Sequence, residues 1–124
     1  MATILVVDDD EPVRDSLRIV LERVNHKVVL AENGDEAVRC YASSRPDIVI
    51  TDLLLPDKDG IEIVREIRRI DPSARIIAMS GGGETAESRL DALTKEFGAL
   101  ETLSKPFRLA QILAAIERAL SAPL

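Results

Sequence analysis

The sequence predicts an α/β protein of the (βα)5 doubly wound type, with a five-stranded parallel sheet and helices on both faces. The alternation of two kinds of segment predicts this class. Short apolar runs alternate along the chain with segments whose apolar residues recur at the spacing of an amphipathic helix. The length of 124 residues fits one domain, which we expect to span residues 3–120. Connections between parallel strands are almost always right-handed crossovers, which place helices over the sheet.

The first unit contains a strand followed by a helix. Residues 4–7 are all apolar and predict a buried strand. Pro12 lies where the first turn of a helix tolerates proline, and Asp10 or Glu11 is the expected cap. The helix that follows has apolar residues at helical spacing: Val13, Leu17, Val20, Leu21 and Val24.

The second unit and the third strand follow the same pattern. Residues 27–31 predict a strand, which the Asn33-Gly34 pair ends. Residues 35–42 predict a short helix. Residues 47–51 predict the third strand, because three apolar residues stand together in its middle.

The C-terminal half supplies the remaining elements. Residues 75–79 and 99–104 predict the fourth and fifth strands. Three helical stripes surround these strands, the second of them after a run of three glycines that starts at Gly81. The stripes are Ile63, Val64, Ile67 and Ile70; then Leu90, Leu93 and Phe97; then Leu109, Ile112, Ile116 and Leu120.

Charge and composition exclude several classes of protein. Asp and Glu number 22 against 16 Lys and Arg, so the net charge is −6, whereas a binder of nucleic-acid backbone needs a basic face. No apolar run approaches the roughly 18 residues of a membrane span. The single cysteine, Cys40, cannot form an intramolecular disulfide, and the N-terminus lacks the pattern of a signal peptide. We therefore expect a cytoplasmic protein that contacts neither membrane nor, directly, nucleic acid.

Polar side chains follow the predicted strands at one edge of the sheet. Asp8 and Asp9 end the first strand, Asp52 the third, Ser80 the fourth and Lys105 the fifth. Doubly wound sheets bind ligands at this carboxyl edge. If the first and third strands are neighbours, about 4.8 Å apart, three carboxylates crowd together, and a bound cation relieves their repulsion. Few hard oxygen ligands with room for water suit Mg²⁺, and a lysine and a hydroxyl beside them suit a phosphoryl group.

At these positions the chain resembles the response-regulator receiver domains of two-component signalling, over about residues 3–120. Four motifs carry the resemblance: VVDDD at residues 6–10, DLLLPDKDG at 52–60, Ser80 followed by a small residue, and KPF at 105–107. Their order and spacing match the family. The resemblance implies the strand order 2-1-3-4-5.

The resemblance also implies a metal site. Asp9 and Asp52 are expected to ligate Mg²⁺ directly, with the backbone carbonyl of Leu54 as a third ligand. Asp8 is expected to act on the ion through water.

A phosphoryl site is implied beside the metal. Asp52 is the expected phosphoacceptor, a carboxylate nucleophile that forms an acyl phosphate. Lys105 is expected to pair with a phosphoryl oxygen, and the hydroxyl of Ser80 to move and hydrogen-bond the phosphoryl group. The Lys105–Pro106 bond is cis in similar domains. Thr102 departs from the pattern, because an aromatic switch residue often stands at that position.

The function so implied is a phosphorylation-dependent switch in a two-component phosphorelay. A sensor histidine kinase or a phosphotransfer protein would donate the phosphoryl group to Asp52, and the domain would change its surface for an output target that the sequence does not identify. We expect no output domain in this chain and no turnover of external substrates.

Two alternatives remain open at this point. Asp8-x-Asp10 after an apolar strand resembles the nucleophile motif of small haloacid-dehalogenase-like phosphatases, although Pro12 replaces the expected Thr or Val and Asp52 would have no role. A receiver-like interaction module that works without phosphate is favoured by Thr102. The crowded acidic residues count against it, because a scaffold has no need of them.

Overall fold

The structure is a computed structural model and describes residues 2–53, 55–81, 91–92, 95–96 and 101–121. Five parallel strands form one sheet in the order β2-β1-β3-β4-β5. The strands are β1 (Thr3–Val7), β2 (Lys27–Ala31), β3 (Ile48–Asp52), β4 (Ile76–Ser80) and β5 (Glu101–Ser104). The helices with described bounds are α1 (Glu11–Arg23), α2 (Gly34–Ser44), α3 (Gly60–Ile70) and α4 (Leu109–Ser121). The predicted fold class and strand order are confirmed.

Alternation along the strands builds a core on each face of the sheet. Successive strand side chains point to opposite faces. Ile4 and Val6 therefore join the cluster that packs against α1 and α4, while Leu5 and Val7 join the cluster that packs against α2 and α3. Both faces of the central strands are covered, which is why these strands are apolar throughout rather than alternately polar.

The helix starts differ from the predictions in one boundary and in one capping bond. Asn33 caps α2 by accepting a hydrogen bond from Glu36 N at 2.8 Å, so this helix begins at Gly34, one residue earlier than predicted. Asp10 occupies the cap position of α1 as expected, but its side chain makes no capping bond. Its backbone N–H donates instead to Asp8 Oδ1 at 3.0 Å, which ties the helix start to the acidic edge.

The later strands place two predicted site residues inside the sheet. β3 and β4 each run one residue further than predicted, so Asp52 and Ser80 are the last residues of fully buried strands. β5 begins at Glu101, and residues 99–100 lie outside the described part. The predicted helix with Leu90, Leu93 and Phe97 lies mostly outside it too, although residues 91–92 and 95–96 are helical. None of the described helices is long and apolar enough to cross a membrane.

Candidate metal and phosphoryl site

Three carboxylates meet at the carboxyl ends of β1 and β3. These strands are neighbours, with Val7 opposite Thr51, so the residues that follow them lie side by side. Asp8, Asp9 and Asp52 each offer one oxygen, and these oxygens lie within 4.8 Å of one another. Asp8 is 0% and Asp52 8% exposed, whereas Asp9 is open to solvent. The predicted crowding of the three acids is therefore present.

The backbone fixes both buried acids. Asp8 N donates to Ala31 O at 3.2 Å, which extends the β1–β2 ladder by one residue. At the end of β3, Leu53 N donates to Met79 O at 3.1 Å, which continues the β3–β4 ladder past Asp52. Hydrogen bonds to β2 and to β4 thus fix the backbone that carries these two carboxylates.

Lys105 connects the two strands through its ammonium group. Its Nζ donates to Asp8 Oδ2 at 2.8 Å and to Asp52 Oδ2 at 3.3 Å. Burial alone would lower the pKa of Lys105, but the hydrogen bond to Asp8 and the charges of both aspartates outweigh burial and raise this pKa above its ordinary value. Lys105 is therefore a fixed positive charge inside the site.

The end of β4 directs Lys105 inward. Lys105 N donates to Ser80 O at 2.7 Å, directly after the Ser80–Ser104 pair of the β4–β5 ladder. The Lys105–Pro106 bond is cis, as the resemblance implied. Ser80 is 3% exposed and follows Met79, which lies opposite Asp52. Of the predicted site residues, only Leu54 lies outside the described part of the chain.

The donor set fits a divalent cation. Three carboxylates and one ammonium group leave a formal charge of 3 × (−1) + 1 = −2 within the cluster. The oxygens are hard ligands, and Asp9 keeps the cluster open to water. Mg²⁺ prefers a site that offers a small number of carboxylates and lets the ion keep part of its bound water.

Sequence reasoning missed Arg14 at this site. Its Nη1 donates to the backbone carbonyl of Asp8 at 2.6 Å, and its side chain is only 12% exposed. Arg14 lies near the start of α1, the helix that follows the acidic residues. A basic residue at that place in the sequence could have predicted a contact with the acidic edge. A guanidinium there holds the turn that carries Asp8 and Asp9.

Comparison with known families identifies the class of protein. A family model described as the response regulator receiver domain matches residues 4–117. The chain therefore belongs to the receiver domain family of two-component response regulators.

Three curated relatives illustrate the range of proteins that contain such a domain. Chemotaxis protein CheY of Listeria monocytogenes is 38% identical over 120 residues, which cover 96% of this chain and 98% of that protein. The DNA-binding transcriptional regulator NtrC of Azospirillum brasilense is 39% identical, with 97% of this chain and 24% of the relative covered. Response regulator MprA of Mycolicibacterium vanbaalenii is 41% identical, with 90% and 47% covered. The chain thus spans about a quarter of the length of NtrC and about half of that of MprA.

Solved structures share the whole fold. A response regulator receiver domain protein from Clostridium thermocellum has a TM-score of 0.86 at 33% identity, over 97% of this chain and 94% of that one. A CheY-like receiver domain protein from Methanospirillum hungatei has a TM-score of 0.87 at 25% identity, over 97% and 94%. Receiver domains and their CheY relatives are signalling proteins rather than turnover enzymes.

Proposed function

We propose that this chain is a phosphorylation-dependent switch that accepts a phosphoryl group on Asp52. The observation that carries the proposal is the ammonium group of Lys105 between Asp8 and Asp52. A buried carboxylate lies beside the permanently charged Lys105 and two further acids, so once a metal cation is bound the negative charge of a phosphoryl group can be neutralised there. A sensor histidine kinase or a phosphotransfer protein is the proposed donor.

The chemistry requires little more than positioning. A carboxylate oxygen of Asp52 forms a bond to phosphorus, and the bond from phosphorus to the donor's nitrogen breaks, with the electron pair leaving on that nitrogen. Lys105 moves from its present carboxylate partners to a phosphoryl oxygen, and the Ser80 hydroxyl donates to another. Mg²⁺, held by Asp9, Asp52 and the carbonyl of Leu54, with Asp8 acting through water, would supply charge neutralisation.

The signal then depends on the segment after Ser80. The added charge of a phospho-residue, about −1.5 to −2, favours the arrangement in which Ser80 and Lys105 face the phosphoryl group. Thr102 is exposed on β5 and cannot rotate a large ring inward, so we propose that this switch works without an aromatic partner at that position.

The remaining assignments concern the setting of the domain. We propose that residues 3–120 form the receiver domain and that it acts in the cytoplasm on a protein target. The acidic net charge of −6 supports a protein partner over direct contact with nucleic acid or an anionic membrane surface. A role as a turnover phosphatase gains no support, since Asp10 is exposed and only its backbone N–H contacts Asp8.

Intact-mass spectrometry tests the proposal. The protein is incubated with a small phosphodonor and Mg²⁺, in parallel with Asp52→Asn and with a chelator control. We expect one phosphoryl group on the wild type and none in either control. A wild type that binds Mg²⁺ without gaining mass from the small donor or from a phosphorylated kinase would favour the phosphate-independent module.

A further inference from the structure

The loop after the proposed phosphoacceptor is closed at its base. We call Leu53 and residues 55–60, the described part of this loop, the acceptor loop. Gly60 N donates to Leu53 O at 3.0 Å, so the two ends of the loop are in contact. A Cβ atom on Gly60 would lie 2.7 Å from Leu53 Cδ2 and 2.8 Å from Leu53 Cα, so only glycine allows this approach. Any freedom of the loop must then reside in its tip.

Asp57, in the middle of the acceptor loop, fixes the loop tip to the start of α2, although the loop itself leads into α3. Its Oδ1 accepts a hydrogen bond from Gly34 N at 2.7 Å, and its Oδ2 accepts one from Asp35 N at 2.9 Å. These are the first N–H groups of α2, which have no partner within the helix. Burial alone would raise the pKa of Asp57, but these backbone hydrogen bonds outweigh it and lower the pKa, so the carboxylate stays charged.

Lys58, the next residue, also fixes the loop tip, through ion pairs to α2 and α3. Its Nζ contacts Asp35 Oδ1 at 3.2 Å and Glu66 Oε2 at 2.6 Å, and so joins the start of α2 to α3. Its side chain is 16% exposed and lies on Gly34, where an added Cβ would come within 2.8 Å of Lys58 Cβ and Cδ. The acceptor loop is thus held at its base, at Asp57 and at Lys58.

Capping of α2 explains only part of these contacts, because Asp57 accepts from Gly34 N and Asp35 N, whereas Lys58 satisfies no N–H group of the helix. Asn33 already caps the helix from its own sequence neighbourhood, as most helices are capped. What Asp57 and Lys58 add is a fixed conformation for the loop that leads out of Asp52. Ordering a loop backbone costs conformational entropy, and a loop that is ordered before the ligand arrives spares binding that cost.

We propose that Asp57 and Lys58 are positioning residues for the metal-dependent phosphorylation of Asp52. They hold the acceptor loop, which follows Asp52, in one conformation before the cation and the phosphoryl group bind. This inference rests on the proposed function. It assigns a role to two side chains that contact none of the three acids through any described hydrogen bond or ion pair.

Calorimetric titration with Mg²⁺ tests the inference on the unphosphorylated protein. The variants are Asp57→Ala, Asp57→Asn and Lys58→Met, and Asn33→Ala is the matched control because it removes a cap from α2 without touching the acceptor loop. Partners that touch a metal ligand directly contribute about 10- to 100-fold in affinity, so we expect these more distant residues to contribute about fivefold. Asp57→Asn should fall between wild type and Asp57→Ala, because it keeps one acceptor oxygen.

The two variants distinguish a lost loop conformation from a direct effect of charge on Mg²⁺ binding. Asp57→Ala removes a negative charge and Lys58→Met removes a positive one, so long-range electrostatics would shift Mg²⁺ affinity in opposite directions. Weaker binding in both is expected only if the loop has lost its fixed conformation. Lys58→Met also keeps the stem that packs on Gly34, so it remains informative if Asp57→Ala does not fold.

The outcomes also separate this inference from the proposed function. If wild type and Asn33→Ala bind Mg²⁺ and are labelled, and the loop variants bind it equally well, only the positioning role is overturned. Opposite shifts in Asp57→Ala and Lys58→Met would likewise overturn it, in favour of a charge effect. If the wild type neither binds Mg²⁺ nor is labelled, both proposals are overturned.

Discussion

Lys105 donates from a single ammonium group to Asp8 at 2.8 Å and to Asp52 at 3.3 Å. Asp8 directly follows β1, Asp52 is the last residue of the neighbouring β3, and Lys105 directly follows β5, so this one ammonium group connects three strands of the sheet. It neutralises only part of the acidic cluster. The proposed switch depends on that incomplete neutralisation, because the remaining negative charge attracts a cation and the lysine is available to a phosphoryl oxygen.

Replacing Lys105 should separate metal binding from phosphorylation. Lys105→Met removes the positive charge, so we expect tighter Mg²⁺ binding by calorimetry. The same variant lacks a donor to the phosphoryl group, and we expect labelling about 10²-fold slower, as when one preorganised transition-state donor is lost. Lys27→Met, at an exposed position on β2, is the control and should change neither quantity. Weaker Mg²⁺ binding in Lys105→Met would contradict this account of the site's charge.

Magnesium should stabilise the folded protein through the acidic cluster. An ion that binds only the native state at 100 times its Kd adds about 2.7 kcal/mol to the free energy of unfolding. We expect thermal denaturation to show a rise in Tm with Mg²⁺ for the wild type and a much smaller rise for Asp9→Asn. Glu117→Gln, an exposed acid on α4, serves as the control. An equal rise in all three proteins would place the ion elsewhere.

Arg14 should contribute to stability through the backbone of Asp8. A hydrogen bond from a charged group contributes about 1.5–3 kcal/mol, and we expect Arg14→Met to lose about 1–2 kcal/mol in urea denaturation. Arg18→Met is the matched control, since Arg18 forms an exposed pair with Glu22 that is worth about 0.3–0.5 kcal/mol. Equal losses in the two variants would show that the bond to the Asp8 carbonyl contributes no more to the free energy of unfolding than an exposed ion pair.

Tyr41 should give the stability a dependence on alkaline pH. Burial and a hydrogen bond from its hydroxyl to Asp71, at 2.9 Å, raise the pKa of Tyr41 above its ordinary value. Because the folded-state pKa is the higher one, the stabilisation is complete below the unfolded pKa, about 10, and is lost as pH rises through that value toward the folded pKa.

Absorbance and denaturation together check this effect. Tyr41 is the only tyrosine of the chain, so its phenolate absorbance can be titrated directly in the folded protein and again in urea. We expect the folded protein to titrate at the higher pH. Tyr41→Phe should lose less free energy of unfolding than the wild type between neutral pH and alkaline pH. A phenol that titrates alike in both states would refute the raised pKa.

The sequence predicts the framework of this fold because local patterns determine it. The strands are continuous apolar runs, the helices have apolar stripes, and Asp8, Asp52, Ser80 and Lys105 follow strands whose ends share one edge. Family resemblance was still needed for the strand order, since periodicity does not show which strands are neighbours.

What the sequence does not predict are contacts between distant segments. Asp57 has the local pattern of a turn residue, yet it caps a helix that begins 23 residues earlier, at Gly34. Asp10 has the pattern of a capping side chain, yet its backbone N–H bonds to Asp8 instead. Which local option is used depends on the neighbours that packing supplies, and those are tertiary contacts.

The most direct test of the central claim is to locate the phosphoryl group. An acyl phosphate on aspartate is reduced by borohydride to homoserine, so wild type treated with phosphodonor and Mg²⁺ can be reduced, digested and mapped by mass spectrometry. The account predicts homoserine at position 52 and only after donor treatment. Homoserine at position 8 instead would indicate a phosphatase-like nucleophile and contradict the assignment of Asp52.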